Sequence, residues 1–180
     1  MKKIFRFCPR CQKPVCWLNK KLIQCPSCSF HFYFNPVPTV AIILENEKKE
    51  ILLVKRKFPP KKGYFDLPGG FIDFKETAKE AVKREVKEEL NINLKTINFL
   101  GTYVGFYPYK GVNYQPLCLI FFGKISDDQM KNLNAADDVS SYKFFPPSKI
   151  PWKKLAFIDI KKGLEDYLNN STLLPSLSYS

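Results

Sequence analysis

Two cysteine pairs near the start of the chain are the feature that most narrows its possible folds. Cys8 and Cys11 form one CxxC motif, Cys25 and Cys28 form another, and thirteen residues separate the two pairs. Each pair presents two thiolates from one short turn, so the four sulfur atoms can close a tetrahedral Zn²⁺ site. Disulfide pairing is the alternative, but chains of this size in a reducing compartment rarely use it. The spacing therefore predicts a zinc site.

The predicted zinc site is structural rather than catalytic. Four cysteines fill a tetrahedral shell and leave no position for water, although His31, three residues after Cys28, could compete as a ligand. A segment of about 30 residues cannot bury enough apolar surface alone, and a bound metal would supply the missing stability. Cys16 and Cys118 stand apart from both pairs and are interpreted as free thiols.

Composition limits the class of protein. The chain has 180 residues, of which 45% are hydrophobic and 26% are charged. These values predict one soluble globular domain with a small appendage rather than a disordered or fibrous chain. The longest apolar runs are only strand-sized, so we expect no membrane partner. Arg6 and Arg10 interrupt the first residues before a secretory core could form, and we expect a cytoplasmic protein.

The net charge of +12 is unevenly distributed along the chain. Residues 1–38 hold seven basic side chains and no acidic one, whereas the remainder holds 22 basic and 17 acidic side chains. Four zinc-bound thiolates would reduce the charge of the first segment to about +5. Such a surface could attract polyanions, or it could be an ordinary solvated lysine-rich face. Nucleic acid is therefore a possible partner, but the charge does not favour it over solubility.

Prolines and a change of pattern place a boundary near residue 36, which leaves 1–35 as the metal-binding unit. The stretch HFYFNPVPT is typical of an extended connector. Apolar runs bounded by turn residues predict strands over 39–44, 50–56, 63–68, 97–107, 113–125 and 140–145. Segments rich in helix formers predict helices over 76–90 and 155–168. Pro116 has to lie at an edge, a bulge or a strand start, and the tail at 171–180 is predicted to be disordered.

Three glutamates on the first predicted helix point to a metal site. Glu85, Glu88 and Glu89 stand at i, i+3 and i+4 and therefore share one face. Most charged helix faces are simply solvated, but on a helical wheel this face overlaps the apolar stripe that faces the core. A buried carboxylate is costly without a compensating cation. Hard oxygen ligands on a rigid helix suit Mg²⁺ or Mn²⁺, which also bind substrate phosphates.

The residues around these glutamates follow a longer pattern. The matching positions are Gly70, Glu76, Arg84, Glu85, Val86, Glu88, Glu89 and Ile92. Together they resemble the Nudix box, G-x5-E-x7-R-E-U-x-E-E-x-G-U with U aliphatic, over residues 70–92. Asn91 stands where the box has its last glycine, and Asn is the usual second choice for the left-handed residue that ends a helix. The cysteine-rich start, the FNPVPT connector and the later AADDV segment extend the resemblance to bacterial Nudix proteins with a zinc ribbon.

This resemblance implies a fold and a reaction. The fold would be an α/β (α+β) sandwich, with a mixed sheet between helices at 36–170, preceded by the small zinc ribbon. The reaction would be metal-assisted attack of water on phosphorus in a nucleoside diphosphate linked to another moiety. A metal ion held by Glu85 and Glu89, with Glu88 direct or through water, would neutralise the diphosphate and lower the pKa of a bound water.

The resemblance also implies supporting roles within the box. Arg84 would orient Glu85, and Glu76 would tie the preceding loop to the helix, although both could be ordinary helix-surface pairs. The backbone at Gly69 and Gly70 would permit close approach of metal or phosphate.

The general base and the substrate contacts lie partly outside the box. The base would be Glu85 or a later acidic residue, of which Asp138 is preferred to Asp137 and could also be a fourth metal ligand. Arg56 and the neighbouring Lys55 could contact phosphate. Aromatic side chains that could stack a nucleobase, many of which would instead belong to the core, are Tyr64, Phe71, Tyr103, Tyr107, Tyr109 and Tyr114.

An absent motif narrows the substrate class. NADH pyrophosphatases share the zinc ribbon and carry SQPWPFPxS after the box, whereas the corresponding region here is GFYPYKGVNYQPLCLIFF. The difference disfavours NADH and NAD-capped RNA and favours ADP-ribose-like substrates. Other dinucleotides and nucleoside triphosphates remain open, and the resemblance allows a homodimer.

A binding module is the alternative function. The acid-free first segment interleaves basic residues with aromatic ones, namely Phe5, Phe7, Trp17, Phe30, Phe32 and Tyr33. Surfaces that bind single-stranded nucleic acid use this mixture. The chain would then be a zinc-ribbon module for RNA or protein on a degenerate Nudix scaffold. The intact set of carboxylates favours the enzyme.

Overall fold

A small sheet near the start of the chain and a larger one after it hold most of the strands. A computed structural model describes residues 4–173. The first sheet is antiparallel and has three short strands, β1 (Cys16–Trp17), β2 (Leu22–Gln24) and β3 (His31–Tyr33). The first CxxC motif lies before β1, and the second lies between β2 and β3. The second sheet begins at Val37, so the connector between the two sheets is 34–36, shorter than the predicted stretch HFYFNPVPT.

The second sheet is mixed and has six strands in the order β11-β5-β4-β10-β7, with β6 paired to β5. Strand β10 runs parallel to β4, and the other pairs are antiparallel. Strands β8 and β9 form a separate hairpin. The bounds of these strands are β4 (Val37–Glu45), β5 (Ile51–Arg56), β6 (Phe65–Asp66), β7 (Asn98–Val104), β8 (Tyr107–Tyr109), β9 (Val112–Tyr114), β10 (Pro116–Lys124) and β11 (Val139–Phe145).

Helices cover both faces of the mixed sheet. They are α1 (Ala78–Leu90), the single turn α2 (Asp127–Met130) and α3 (Ile158–Leu173), with two short 3-10 turns at Pro147–Lys149 and Trp152–Lys154. Val40, Ile42 and Leu44 of β4 pack in the same cluster as the apolar face of α1. Ala41 and Ile43 pack on the opposite face in the cluster that contains α3. Because successive residues of a strand face opposite sides, the run from Val40 to Leu44 is buried on both faces of the sheet, and the predicted α/β/α sandwich is confirmed.

Most predicted elements are present, and the main difference lies between residues 105 and 115. The predicted strands 97–107 and 113–125 each divide, because residues 107–114 form the hairpin around a turn with positive φ at Lys110 and Gly111. Pro116 is the first residue of β10, one of the positions expected for it. The helix predicted from Glu76 begins at Ala78. Helix α3 ends at Leu173, and the rest of the tail predicted to be disordered, 174–180, lies outside the described residues.

None of the helices within residues 4–173 combines the length and the hydropathy that a membrane span requires.

Candidate active site

Helix α1 is fixed at both ends by local capping. At its start, the Thr77 hydroxyl accepts the Glu80 N–H at 3.3 Å, and the Glu80 carboxylate accepts the Thr77 N–H at 2.8 Å. At its end, Asn91 adopts the left-handed conformation with φ 58° and ψ 30°, as expected from its place in the box. Lys87 Nζ donates to the Asn91 side-chain oxygen at 2.7 Å. The caps therefore hold the three glutamates at defined positions on the sheet.

Glu89 is the most deeply placed of the three carboxylates, with 3% of its surface exposed. The backbone N–H of Gly69 donates to Glu89 Oε2 at 3.0 Å. Burial raises the pKa of Glu89 well above its ordinary value, and the nearby Asp138 carboxylate raises it further. A cation bound beside Glu89 would therefore stabilise the charged form of its carboxylate.

Glu85 lies one turn earlier and is largely buried, with 13% of its side chain exposed. Its carboxylate lies directly against Gly70, where a Cβ atom would overlap it. Burial raises the pKa of Glu85, and hydrogen bonding to Arg84 opposes this effect. Because glycine has no Cβ atom, Gly70 leaves room for the Glu85 carboxylate.

Arg84 lies at the centre of a hydrogen-bonded network. Its Nε and Nη2 donate to the two oxygens of Glu76 at 2.8 and 2.9 Å. Its Nη1 donates to Glu85 at 2.9 Å and to Glu88 at 3.0 Å, and Nη2 also donates to the Phe71 carbonyl at 3.0 Å. The hydrogen bond from Arg84 lowers the pKa of Glu76. One guanidinium thus connects the loop, the start of α1 and two of the carboxylates.

The three glutamates consequently differ in environment. Glu89 is buried and Glu85 is largely buried, whereas the Glu88 side chain is 46% exposed and lies at the rim. The helical wheel places all three toward the protein, and the structure does so fully for Glu89 only. Glu88 faces outward because Arg84 draws its carboxylate along the helix surface.

Asp138 approaches this group from the loop before β11. It lines the same small cavity as Glu89, Gly69 and Val139, and its charge raises the pKa of both Glu85 and Glu89. Asp137 has a positive φ of 52°, and its carbonyl accepts Lys57 Nζ at 3.0 Å. Of the two candidate aspartates, Asp138 is thus the one that lies against the glutamates.

An open cleft of about 110 Å³ extends away from these carboxylates. Gly69, Gly70 and Asp138 line one end of it. The rim is aromatic, where Tyr107 contacts Phe71 and Phe157 at ring-centroid distances of 5.9 and 5.4 Å. This lining of aromatic rings, glycine backbone and carboxylates is of the kind that binds a nucleotide derivative.

Arg56 lines the cleft, as expected for a substrate-binding residue. Its guanidinium lies 5.0 Å from the Phe157 ring and donates to Asp66 at 3.0 Å. Tyr64 lies outside the lining and packs against Lys61 at 4.9 Å. Tyr103 also lies elsewhere and donates to Asp166 at 2.8 Å. Of the other proposed stacking residues, Phe71 and Tyr107 reach the cleft, and Tyr109 and Tyr114 do not.

Several lining residues were missed at the level of sequence. They are Asp66, Phe106, Phe157 and Asp159. Burial raises the pKa of Asp66 to about 6, with the Arg56 charge opposing the effect, and burial also raises the pKa of Asp159. No motif surrounds these residues. The sequence indicates the two acids only by their positions, with Asp66 at the end of a strand and Asp159 at the start of a helix.

The carboxylate cluster fits a divalent cation. The Asp138 charge raises the pKa of both Glu85 and Glu89, and the Glu85 charge also raises that of Glu89, so like charges are held together here with too little positive charge nearby. Arg84 bonds Glu85 but has no hydrogen bond to Glu89 in the described chain. The donors are hard carboxylate oxygens. Mg²⁺ and Mn²⁺ prefer such ligands.

The four cysteines form a compact group at the other end of the chain. Their four sulfur atoms all lie within 4.8 Å of one another. Across residues 4–173, no other group of three or more His, Cys, Asp or Glu side chains brings its ligand atoms together in this way. The sulfur of Cys8 lies 3.7 Å from that of Cys28, and Cys11 lies 3.4 Å from Cys25. A tetrahedral Zn²⁺ with bonds near 2.3 Å needs sulfur separations of about 3.8 Å. The cluster therefore has the ligands and the size of a zinc site.

The two cysteine turns share one backbone geometry. Gln12 and Ser29, each directly after the second cysteine of its pair, have φ of 59° and 57°. The N–H of Gln12 donates to the Cys8 carbonyl and that of Ser29 to the Cys25 carbonyl, both at 2.9 Å. Two equivalent turns thus converge on one point, as the spacing of the motifs predicts.

Comparison with known proteins agrees with this geometry. Residues 35–167 match the sequence profile described as the NUDIX domain. The chain is 37% identical over 139 residues to the ADP-ribose pyrophosphatase of Methanocaldococcus jannaschii, a match that covers 77% of each protein. It is 31% identical over 109 residues to an NAD-capped RNA hydrolase of Haemophilus influenzae, covering 59% of this chain and 41% of that longer protein. The crystal structure of a NUDIX hydrolase from Nitrosomonas europaea superposes with a TM-score of 0.67 at 25% identity, covering 93% of both chains.

Proposed function

The chain belongs to the Nudix family of pyrophosphohydrolases, and we propose that it cleaves the diphosphate bond of a nucleoside diphosphate linked to another moiety. ADP-ribose-like compounds and dinucleotides are the favoured substrates. One observation carries the proposal: a buried Glu89, held by the Gly69 N–H at 3.0 Å and close to Glu85 and Asp138, lines a small cavity that shares Gly69 and Asp138 with the aromatic-lined cleft. This arrangement joins a site for a cation to a site for a nucleotide.

Glu85 and Glu89 would hold Mg²⁺ or Mn²⁺, with Glu88 and Asp138 as further ligands. When bound, the ion would neutralise the diphosphate and acidify a water molecule. Gly69 and Gly70, which lack side chains, let the diphosphate lie close to the carboxylates.

Arg84 and Glu76 position this site. The paired bonds from Arg84 to Glu76 fix the guanidinium, and the guanidinium then fixes the Glu85 carboxylate. Two groups are candidates for the general base, Glu85 and Asp138. Burial raises the pKa of Glu85 toward the range in which a carboxylate accepts a proton efficiently at neutral pH. Asp138 lies beside the same group on a separate loop.

The four cysteines would bind one structural Zn²⁺. The segment 1–35 would thereby form a zinc ribbon, and 36–170 would form the hydrolase domain. The ribbon strands have only two or three residues each, so the sheet alone offers little stability. A metal that connects both cysteine turns would supply it.

ADP-ribose is the first substrate to test, because the Methanocaldococcus jannaschii relative bears the name of an ADP-ribose pyrophosphatase. The similarity to an NAD-capped RNA hydrolase keeps NAD-like dinucleotides in the same panel. The region that carries the substrate motif in NADH pyrophosphatases here forms the hairpin of β8 and β9 and lacks the motif. ADP-ribose therefore ranks above NADH.

The test is turnover by the full-length, zinc-loaded protein. The panel contains ADP-ribose, NADH, NAD, diadenosine polyphosphates and nucleoside triphosphates, each with Mg²⁺ or Mn²⁺. Glu89→Gln is measured beside Glu80→Gln, which makes the same change on the exposed side of α1 and retains a capping residue. The proposal is supported if turnover depends on the metal ion, is abolished by Glu89→Gln and is retained in Glu80→Gln. No turnover of any substrate by folded protein overturns it.

A second function, binding of single-stranded RNA by the zinc-ribbon segment, is favoured by one specific observation. Aromatic side chains of this basic, acid-free segment are exposed, including 59% of Phe7, 44% of Phe32 and 53% of Tyr33. Such side chains can stack bases while the lysines contact the backbone. A salt-sensitive affinity for oligonucleotides that survives Glu89→Gln and is lost in Phe32→Ala would support this function.

A further inference from the structure

Asp159 is a buried acidic residue that the catalytic account does not use. It lies in the first turn of α3 and lines the cleft with 5% of its surface exposed. Within the described part of the chain, its Oδ1 is the one buried side-chain polar atom of a non-exposed residue that lacks a hydrogen-bond partner. Such an atom is costly, because burial removes water without replacing its hydrogen bonds. An unpartnered acceptor on a residue that lines a cleft points to a ligand with a donor.

The surroundings of Asp159 are built to hold its carboxylate in place. Its Oδ2 lies so close to Gly105 that a Cβ atom there would be only 2.6 Å away. The neighbouring Cys118 also lines the cleft, and burial raises the pKa of its thiol to about 12, so the sulfur is uncharged. Position 105 thus has to be glycine for the carboxylate to occupy this place.

The cation nearest to this part of the cleft is already engaged. Arg56 donates to Asp66 at 3.0 Å and to the Pro60 carbonyl at 3.0 Å. The negative charge of Asp159 also raises the pKa of Asp66, which shows that the two carboxyl groups lie near each other. A second acid beside a satisfied ion pair contributes nothing to that pair. Asp159 is therefore available to a ligand that binds in the cleft.

The walls near Asp159 suit a flat aromatic ring. Phe157, two residues before it, contacts the Tyr107 ring at 5.4 Å and stacks under the Arg56 guanidinium at 5.0 Å. Phe106 also lines the cleft and is 52% exposed. A nucleobase stacked among these rings would bring its edge toward the buried acid.

We propose that Asp159 accepts a hydrogen bond from the exocyclic amino group of a purine bound among Phe157, Tyr107 and Phe106. Asp159 is thereby a specificity-determining residue that recognises the base, at the opposite end of the substrate from the carboxylates of α1. The proposal rests on the proposed function, since it assigns the nucleoside half of the same substrate to this cleft. Burial raises the pKa of Asp159, and hydrogen bonds from backbone N–H groups at the start of α3 oppose this effect.

The test uses equilibrium binding, so it does not depend on turnover. Calorimetry with the zinc-loaded full chain, without added Mg²⁺ or Mn²⁺, compares three matched pairs of nucleoside diphosphates. ADP and its 6-deamino analogue differ only in the 6-amino group, and GDP and IDP differ only in the 2-amino group. ADP and 2′-deoxy-ADP differ only in a ribose hydroxyl. Each comparison is made on one protein sample, so a partly unfolded variant changes stoichiometry but not the ratio of Kd values.

The expected result is about tenfold tighter binding of the amino-bearing member in one of the base pairs, the effect of one buried hydrogen bond. Asp159→Ala should bring that ratio to within about twofold of one, whereas Asp159→Asn, which keeps a side-chain acceptor, should retain it. Glu165→Gln, an exposed acid on the same helix, should leave it unchanged.

Equal binding of the two nucleotides in both base comparisons would overturn the assignment, and so would a preference that survives Asp159→Ala. The assignment would also fail on a preference for the ribose hydroxyl that Asp159→Ala removes. The last would place the sugar, not the base, against this acid. Absence of binding by any nucleoside diphosphate would also overturn it. Because the panel of substrates measures turnover and these pairs measure binding, failure of the hydrolase proposal and failure of this one are distinguishable.

Discussion

The backbone N–H of Gly69 donates to Glu89 Oε2 at 3.0 Å, and this bond joins the loop after β6 to the buried face of α1. Gly69 has φ of +146°, and a Cβ atom at this position would overlap the backbone of Val40 in β4. The loop can therefore reach Glu89 only with glycine at 69. One contact thus couples the sheet, the loop and the most deeply buried carboxylate.

Substitution at this glycine should affect stability and activity together. Gly69→Ala is expected to lower the free energy of unfolding by about 2 kcal/mol or more, since both the φ and the space are unfavourable. It should also lower kcat/KM at least tenfold, because Glu89 loses its hydrogen bond. Denaturant unfolding and substrate turnover measure the two effects. Gly111→Ala, which has φ of +80° but only ordinary contacts, should cost stability and leave kcat/KM unchanged.

The Arg84 network should not tolerate a lysine. Arg84→Lys keeps the charge but loses the paired bonds to Glu76 and the bond to the Phe71 carbonyl. We expect kcat to fall roughly 100-fold, because Glu85 is no longer held in position. Steady-state kinetics of folded protein measures this. A kcat within about threefold of that of the unmodified chain would show that Arg84 forms an ordinary surface pair.

The fold shows which parts of this site sequence patterns can predict. Glu85, Glu88 and Glu89 lie on one helix, so their spacing alone places them on one face, and Asn91 ends that helix as its position predicts. The cysteine turns are equally local. The α/β/α layers follow from the box resemblance together with the continuous apolar run of β4.

The aromatic cleft could not be predicted in the same way. Its lining comes from β6, the loop after β7 and the start of α3, segments that are distant in sequence and meet only when the sheet and α3 pack. Tyr64 and Tyr103 resemble the lining aromatics by composition, yet they face Lys61 and Asp166. Asp159 shows no periodic pattern at all, because its role depends on Gly105, more than fifty residues earlier.

Asp66 should produce a pH dependence of stability. Burial raises its pKa from 3.8 to about 6, so the folded protein binds this proton more tightly than the unfolded chain. Its contribution to the free energy of unfolding is complete below about pH 4 and is lost as the pH rises through about 6, a change of about 3 kcal/mol. Urea unfolding between these values should show a downward slope that Asp66→Asn reduces, while the other buried acids keep their contributions. Asp128→Asn, whose side chain is 86% exposed, should keep it. Equal slopes in all three proteins would contradict the assignment.

The cysteine cluster should contain one zinc ion per chain. Cys25→Ser, which removes a fully buried ligand, should lose zinc and lower the melting temperature. Cys16→Ser alters an exposed cysteine outside the cluster, so it should retain both the zinc and the melting temperature of the unmodified chain. Elemental analysis and thermal unfolding measure these results. Full zinc content in Cys25→Ser, or a disulfide between the pairs in the unmodified chain, would contradict a four-cysteine zinc site.

The central claim is that the buried carboxylates of α1 carry out metal-dependent hydrolysis of a diphosphate. The most direct measurement is the rate of ADP-ribose cleavage at saturating Mn²⁺ by the unmodified chain, Glu89→Gln and Glu80→Gln, with all three shown to be folded. We expect turnover by the unmodified chain and Glu80→Gln, and a loss of roughly 100-fold or more in Glu89→Gln, because a ligand of the ion is removed. Equal rates in Glu89→Gln and the unmodified chain would contradict the account.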